Sequence, residues 1–158
     1  MNQASIDRLK QVHPALAERV FAAAAALRLR GIQVEVVQGL RTFAQQDALY
    51  AQGRTAPGPR VTNARGGQSN HNFGLAVDLC PIAQGRPNWE TPASVWEATG
   101  AEAAGLEWGG RWKTIIDRPH VQLPTGLSVS DCLAVYNKRR GGLPAVWAEA
   151  SRRLAARA

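Results

Sequence analysis

The chain has 158 residues, of which 45% are hydrophobic and 20% charged, enough for one compact domain with a real core and too few for two comfortable ones. Nineteen Lys and Arg against twelve Asp and Glu give a formal charge of +7, which favours a polyanionic partner: nucleic acid, anionic lipid or bacterial cell wall. The longest apolar run, Val20 to Leu27, is mostly alanine and far short of the eighteen or more residues that span a bilayer, which excludes a membrane-spanning helix.

In chain order, Met-Asn-Gln-Ala-Ser-Ile-Asp lacks the basic start and apolar middle of a secretory signal, so action outside the cytoplasm is expected to need separate release. Ser5 is the expected cap of a short first helix. Pro14 opens an Ala-rich helix to Arg30 that Gly31 ends. Ile32 to Gln38, rich in Val and Ile, reads as a strand, with a sharp change of direction at Gly39. Thr42 and Gln45 form a capping box, so Phe43 to Gln52 should be helical with Gly53 closing it. Arg54 to Gly67 reads as a long irregular loop, of the kind that is often functional.

From Phe73, apolar Phe73, Leu75, Val77 and Leu79 alternate with Gly74, Ala76 and Asp78, the period of a strand. Asp78 then shares a face with residues too small to fill space, leaving room for a metal and a substrate. Pro81 to Glu90 reads as a loop, and Thr91-Pro92 as the start of a helix to about Ala104, stopped by Gly105. A short strand over Val121 to Leu123 follows. A helix capped by Ser128 or Ser130 then runs to about Arg140, and Pro144 opens a last one. The sum is an α+β single domain, a small and mostly antiparallel sheet flanked by helices.

The three histidines differ in their surroundings. His13 precedes Pro14 with no acid in a ligand pattern and reads as a core or surface residue. His71 and His120 each have a carboxylate at useful spacing, Asp78 and Asp117, and both stand at expected strand edges. Two neutral imidazoles and a carboxylate are a ligand set with which a catalytic zinc keeps a fourth position open. A further acid three residues before the last ligand suits a base. Asp117 and His120 would point to opposite faces of an unbroken strand, so Arg118-Pro119 must supply a turn or bulge. Taken alone, Asp117 reads as a partner of Arg118 or a nearby arginine, and Arg41 as one end of a salt bridge near a helix start. Trp108 and Trp112 suit a core and a cleft wall equally. Ser69 lacks the surroundings of a nucleophilic serine. Cys80 and Cys132 read as two reduced thiols, with Cys80 on the Asp78 face if the strand continues.

Ser69-x-His71-x-x-Gly74-x-Ala76-x-Asp78 followed by Asp117-x-x-His120 resembles the zinc peptidases that include D-Ala-D-Ala carboxypeptidases, dipeptidases and L-alanyl-D-glutamate endopeptidases. His13-Pro14, the stretch Gly39-Leu40-Arg41-Thr42 leading to Ala48-Leu49-Tyr50-Ala51-Gln52-Gly53-Arg54-Thr55, and Glu107-Trp108-Gly109-Gly110-x-Trp112 are most similar to the phage endolysin branch. The resemblance implies a hedgehog/DD-peptidase-like fold and one zinc ion held by His71, Asp78 and His120. It also implies Asp117 as general base, Arg41 as a residue that holds or polarises substrate, and Ser69 as a substrate contact; Trp112 joins these as a candidate cleft wall. The base is glutamate in the dipeptidase branch and aspartate here, which points to the endopeptidase branch.

The expectation is therefore a zinc-dependent endopeptidase that cuts the peptidoglycan stem peptide, at the L-alanyl-D-glutamate bond by resemblance alone. It is expected to act as a monomeric phage endolysin without a separate wall-binding domain, made in the host cytoplasm and acting at the wall after release. The rivals are a D,D-carboxypeptidase or dipeptidase and a non-catalytic zinc domain that binds wall. A nucleic-acid partner is not expected, because the aromatics are not interleaved with the basic runs. Pro144 to Ala158 is a candidate helix for an anionic outer-membrane surface, with Val146, Trp147 and Leu154 beside Arg152, Arg153 and Arg157.

Overall fold

The structure is a computed structural model that describes residues 1–103 and 105–157. Among these are six α-helices and five short strands, every strand pair antiparallel, so the α+β class holds. The chain forms two compact units, Met1–Gly39 with Leu75–Pro124 and Leu40–Gly74 with Thr125–Ala158.

The first unit holds the sheet, in the order β1 (Val34–Gln38), β2 (Ala76–Ala83), β5 (His120–Gln122), β4 (Glu107–Trp108), with β3 (Arg86–Pro87) paired to β2. The period of two sorts its side chains. Val77, Leu79, Val121 and Trp108 are buried on one face together with Val34 and Val36 of β1, and α2 (Pro14–Leu29), with Leu16, Val20, Ala23 and Leu27 buried, packs against β1. Those four positions recur every three or four residues and form one apolar stripe on an otherwise alanine-rich helix. Asp78, His120, Gln122 and Glu107 occupy the other face. Gln38 stands opposite Asp78 because the β1 register shifts by one residue after Val36, a bulge beside the polar face.

Several expectations are corrected. Asn2 caps α1 (Gln3–Leu9), while Ser5 is fully buried and its hydroxyl donates to Glu35 Oε2 at 2.6 Å; a tertiary carboxylate outcompetes a local cap. The strand does not begin at Phe73: Asn70–Phe73 is a 3₁₀ turn closed by Gly74 at φ 65°, and β2 starts at Ala76. Alternating hydrophobicity there reflects burial on all sides rather than a pleat. β2 runs on to Ala83 and pairs with Arg86–Pro87 through Gln84 and Gly85, both at positive φ, where a loop was expected. α4 spans Ala93–Glu102; the expected end at Ala104 lies outside the described residues.

In the second unit, α3 (Phe43–Ala51) carries the expected Thr42–Gln45 capping box. α5 (Val129–Tyr136) is capped by Ser128 and ends four residues before Arg140. α6 (Gly142–Ala155) begins two residues before Pro144, and Ala158 lies outside the described residues. Val146 and Ala150 are buried, Cys132 is buried on α5, and the Trp147 indole N–H donates to the Phe73 carbonyl at 2.8 Å. That bond ties α6 to the 3₁₀ turn. Phe43, Phe73 and Tyr136 pack their rings at centroid distances of 5.1–6.1 Å around it.

Candidate metal centre

On the polar face of the sheet, Asp78 and His120 are directly opposed across the β2–β5 ladder. His120 Nδ1 lies 3.6 Å from Asp78 Oδ1, while its Nε2 is 2.9 Å from Gln122 Oε1. Gln122 in turn donates from Nε2 to Glu107 Oε2 at 2.7 Å. Burial opposes protonation of His120. The nearby Asp78 carboxylate, the Gln122 contact and the charge of Asp117 outweigh it, holding the imidazole above its ordinary pKa.

The turn expected at Arg118-Pro119 is present. The His120 N–H donates to the Asp117 carbonyl at 3.3 Å, and the Pro119 carbonyl accepts from the Leu79 N–H at 2.8 Å, docking the turn onto β2 beside Asp78. Trp108 resolves as a structural residue: it is buried and its indole N–H donates to the Arg118 carbonyl at 2.6 Å. Trp112 does the other job, lying tilted against the His120 ring at 4.9 Å between centroids with 36% of its surface exposed. Between them Gly109 accepts from the Asp117 N–H at 3.0 Å, and a Cβ there would stand 2.5 Å from the Asp117 carbonyl oxygen. Close approach of backbone to backbone requires glycine at that position.

In the second unit, His71 sits on the 3₁₀ turn rather than a strand edge, capped by Ser69, whose hydroxyl accepts from the His71 N–H at 3.3 Å. Ser69 thus shapes the turn that presents His71. The Arg41 N–H donates to the His71 carbonyl at 3.0 Å, so the candidate substrate-holding arginine and the candidate ligand are backbone neighbours. The Arg41 guanidinium donates to Gln46 Oε1 at 2.7 Å; Gln46, fully buried, donates in turn to the Ala64 carbonyl at 2.9 Å. Asn72 accepts from the Gly67 N–H and donates to the Arg41 carbonyl at 2.9 Å, pinning the long loop and the α3 entry to the histidine turn.

One donor atom each from His71, Asp78 and His120 lie within 4.8 Å of one another. Ligand atoms about 2.0–2.1 Å from a tetrahedral zinc stand about 3.3 Å apart, and two imidazoles with one carboxylate are a donor set that suits such an ion. His71 and His120 are buried and Asp78 is partly exposed. The donor chemistry and spacing fit zinc. Cys80 shares the Asp78 face and is buried, and burial pushes its thiol pKa up to about 11; it stays a neutral thiol.

Gln122, Gln46 and Asn72 were not singled out from sequence, and Glu107 and Gly109 entered only within the Glu107–Trp112 motif, without a role of their own. Two carried a readable signal: His120-x-Gln122 places both side chains on one face of a strand, and Gln46 lies one helical turn after the Thr42 cap. The other three depend on partners far away in the chain.

A family profile described as D-alanyl-D-alanine carboxypeptidase matches residues 62–123, the stretch that contains His71, Asp78, Asp117 and His120. The peptidoglycan L-alanyl-D-glutamate endopeptidase CwlK of Bacillus subtilis is 36% identical, over 71% of this chain and 73% of that protein. The crystal structure of the Serratia marcescens L-Ala D-Glu endopeptidase ChiX superposes with a TM-score of 0.59 at 28% identity, covering 78% of this chain and 88% of that one. The shared fold, the matched stretch and the converging His-Asp-His set have one reading: the chain belongs to the zinc-dependent peptidase family of the D-alanyl-D-alanine carboxypeptidases and L-alanyl-D-glutamate endopeptidases.

Proposed function

We propose that the chain is an endopeptidase of the peptidoglycan stem peptide that uses one zinc ion to hydrolyse the bond between L-alanine and D-glutamate. The observation that carries the chemistry is the convergence of His71, Asp78 and His120, with Asp117 one tight turn from His120. The bond is supported by CwlK and ChiX, both named for that activity.

Bound by those three residues, zinc supplies Lewis acidity and lowers the pKa of water toward about 7. Asp117, partly exposed at the mouth of its turn, takes the proton from the attacking water as its oxygen adds to the amide carbonyl carbon. The carbonyl oxygen gains negative charge, and the Arg41 guanidinium, held by Gln46, offers a fixed positive charge to it. Asp117 then returns the proton to the leaving amine nitrogen as the C–N bond breaks. Trp112 gives the peptide an apolar wall beside His120.

The biological role that goes with this reading is phage endolysis, supported by the likeness of the Gly39–Thr55 and Glu107–Trp112 motifs to that branch. The enzyme would be made in the host cytoplasm and act on the wall as a monomer. The arginines of α6, with Arg152 exposed and Arg153 half-buried, add attraction to an anionic outer membrane; Val146 and Trp147 are spent on internal packing, so this attraction is electrostatic rather than insertive.

Digestion of purified peptidoglycan, followed by mass spectrometry with and without chelator, tests the proposal. New D-glutamate N-termini that vanish on chelation and return with zinc are expected. Release of free D-alanine instead would favour the carboxypeptidase reading that the family profile's description suggests. Cleavage by verified zinc-free protein would refute the metal assignment.

A further inference from the structure

We infer that Glu107 and Gln122 are positioning residues for His120: together they fix its imidazole with the proton on Nε2 and the lone pair on Nδ1, the nitrogen that faces Asp78. This inference rests on the metallopeptidase reading above and adds to it a function for two residues that touch neither metal nor substrate.

Glu107 and Gln122 are cross-strand partners in the β4–β5 ladder, and Gln122 lies two residues from His120, so all three side chains share one face. On the other side Gln122 is opposed by Ala76, whose methyl leaves the amide room to lie flat between its neighbours. An amide can present either its oxygen or its nitrogen to a histidine, and the His120 contact alone does not choose. Glu107 chooses. An ionised carboxylate only accepts, so the Gln122 nitrogen turns to Glu107 at 2.7 Å and the Gln122 oxygen is left for His120 Nε2 at 2.9 Å. An amide oxygen also only accepts, so Nε2 must carry the hydrogen, and in the neutral ring the lone pair falls on Nδ1.

The arrangement has an opponent, which is why two residues are needed. Asp78 Oδ1 lies 3.6 Å from Nδ1, and a modest ring rotation would let the carboxylate claim a proton there. A protonated Nδ1 cannot be a ligand. The Gln122 contact at 2.9 Å holds the ring against that rotation, and the charge on Glu107 polarises the amide and raises the basicity of the donor nitrogen. Trp112, tilted against the same ring, limits its motion on the open side.

The test measures zinc affinity by competition with a chromophoric chelator, and the imidazole tautomer by ¹⁵N shifts in metal-free protein at about pH 8. Gln122→Leu is expected to weaken zinc binding about 10- to 100-fold while the fold persists. Gln122→Glu combined with Glu107→Gln, which keeps an acceptor facing Nε2 and a donor between the two strands, is expected to stay within about threefold of wild type, and Glu107→Ala to fall between this pair and Gln122→Leu because the amide can then turn over. The wild-type His120 shifts should report the Nε2–H form, moving toward a mixture in Gln122→Leu. A Gln122→Leu protein that binds zinc within about twofold of wild type, or a wild type that shows the Nδ1–H form, overturns the inference. Should the leucine variant not fold, the wild-type tautomer and the affinity of the Gln122→Glu, Glu107→Gln double variant still decide. A wild type with the Nε2–H form that takes up no zinc would count against the proposed function and leave the positioning pair standing.

Discussion

Substitution of Gly109 by alanine adds one methyl group at the point where the β4 end meets the catalytic turn. Gly109 does not have a positive φ, so the backbone accepts alanine and the effect is steric alone. The new Cβ would stand 2.5 Å from the Asp117 carbonyl oxygen and 3.2 Å from both the Asp117 and His120 Cβ atoms. Relief requires the Asp117 backbone to retreat by on the order of 0.5–1 Å, because non-bonded heavy atoms settle near 3.5 Å. His120 is better held than Asp117, since its strand is laddered to β2. Overpacking of this size costs about 1–3 kcal/mol of stability, and misplacing a reacting group by about 1 Å costs about 10²-fold in rate. The expected variant is folded, binds zinc in near-equal amount, and has kcat/KM for a stem-peptide substrate reduced about 100-fold. Steady-state kinetics, denaturant unfolding and metal analysis on one preparation check this. A folded variant with kcat/KM within about threefold of wild type would refute the view that Gly109 sets the reach of Asp117.

Asp117→Ala is expected to retain zinc and lose turnover by about 10²-fold or more, whereas His120→Ala loses the metal; equal activity of Asp117→Ala and wild type rules out the assigned base. Gln46→Leu removes the acceptor of Arg41 and leaves the Ala64 carbonyl short of a donor, so stability falls by about 1–3 kcal/mol and kcat falls with little change in zinc content. Glu35, buried and accepting from the Asn2 N–H and Ser5, has its carboxyl pKa held below the ordinary 4.5 by those bonds, which outweigh the effect of burial. Its stabilisation is therefore present above pH 4.5 and lost as pH falls through the lowered value, so Glu35→Gln should cost about 1–3 kcal/mol at neutral pH and less in acid below that lowered value, measured by urea unfolding. Equal cost at both pH values would contradict it. Burial raises the thiol pKa of Cys80 and of Cys132 to about 11, so neither should react with a disulfide reagent at pH 7.5 until denaturant is added, and fast labelling of the native protein would be inconsistent with the packing.

The ligand set was legible as spacing because His71, Asp78 and His120 are of residue types rarely placed together without a use. The class of fold was legible too, since capping boxes and glycine stops mark helices through interactions within a few residues. Where reading failed, the cause was a competing contact. Ser5 gave up a helix cap for Glu35, and the Phe73–Asp78 alternation concealed a tight turn, because a fully buried segment is apolar at whichever positions meet the core. Pro81 and Pro87 lower strand propensity around the Gln84-Gly85 hairpin, and cross-strand pairing holds the segment nonetheless.

Local chemistry thus picked out the candidate ligands and most helices, since each depends on residue type and on neighbours a few positions away, while the role proposed for Asp117 came from family resemblance. It could not name Gln122 and Glu107 as the pair that turns His120, Gln46 as the support of Arg41, or Gly109 as the gap into which the Asp117 turn fits. Those assignments arise from strand register and from contacts between segments far apart in the chain. A register shift of one residue would send Gln122 to the core face and leave the amino-acid sequence unchanged, which is why only the folded chain could show them.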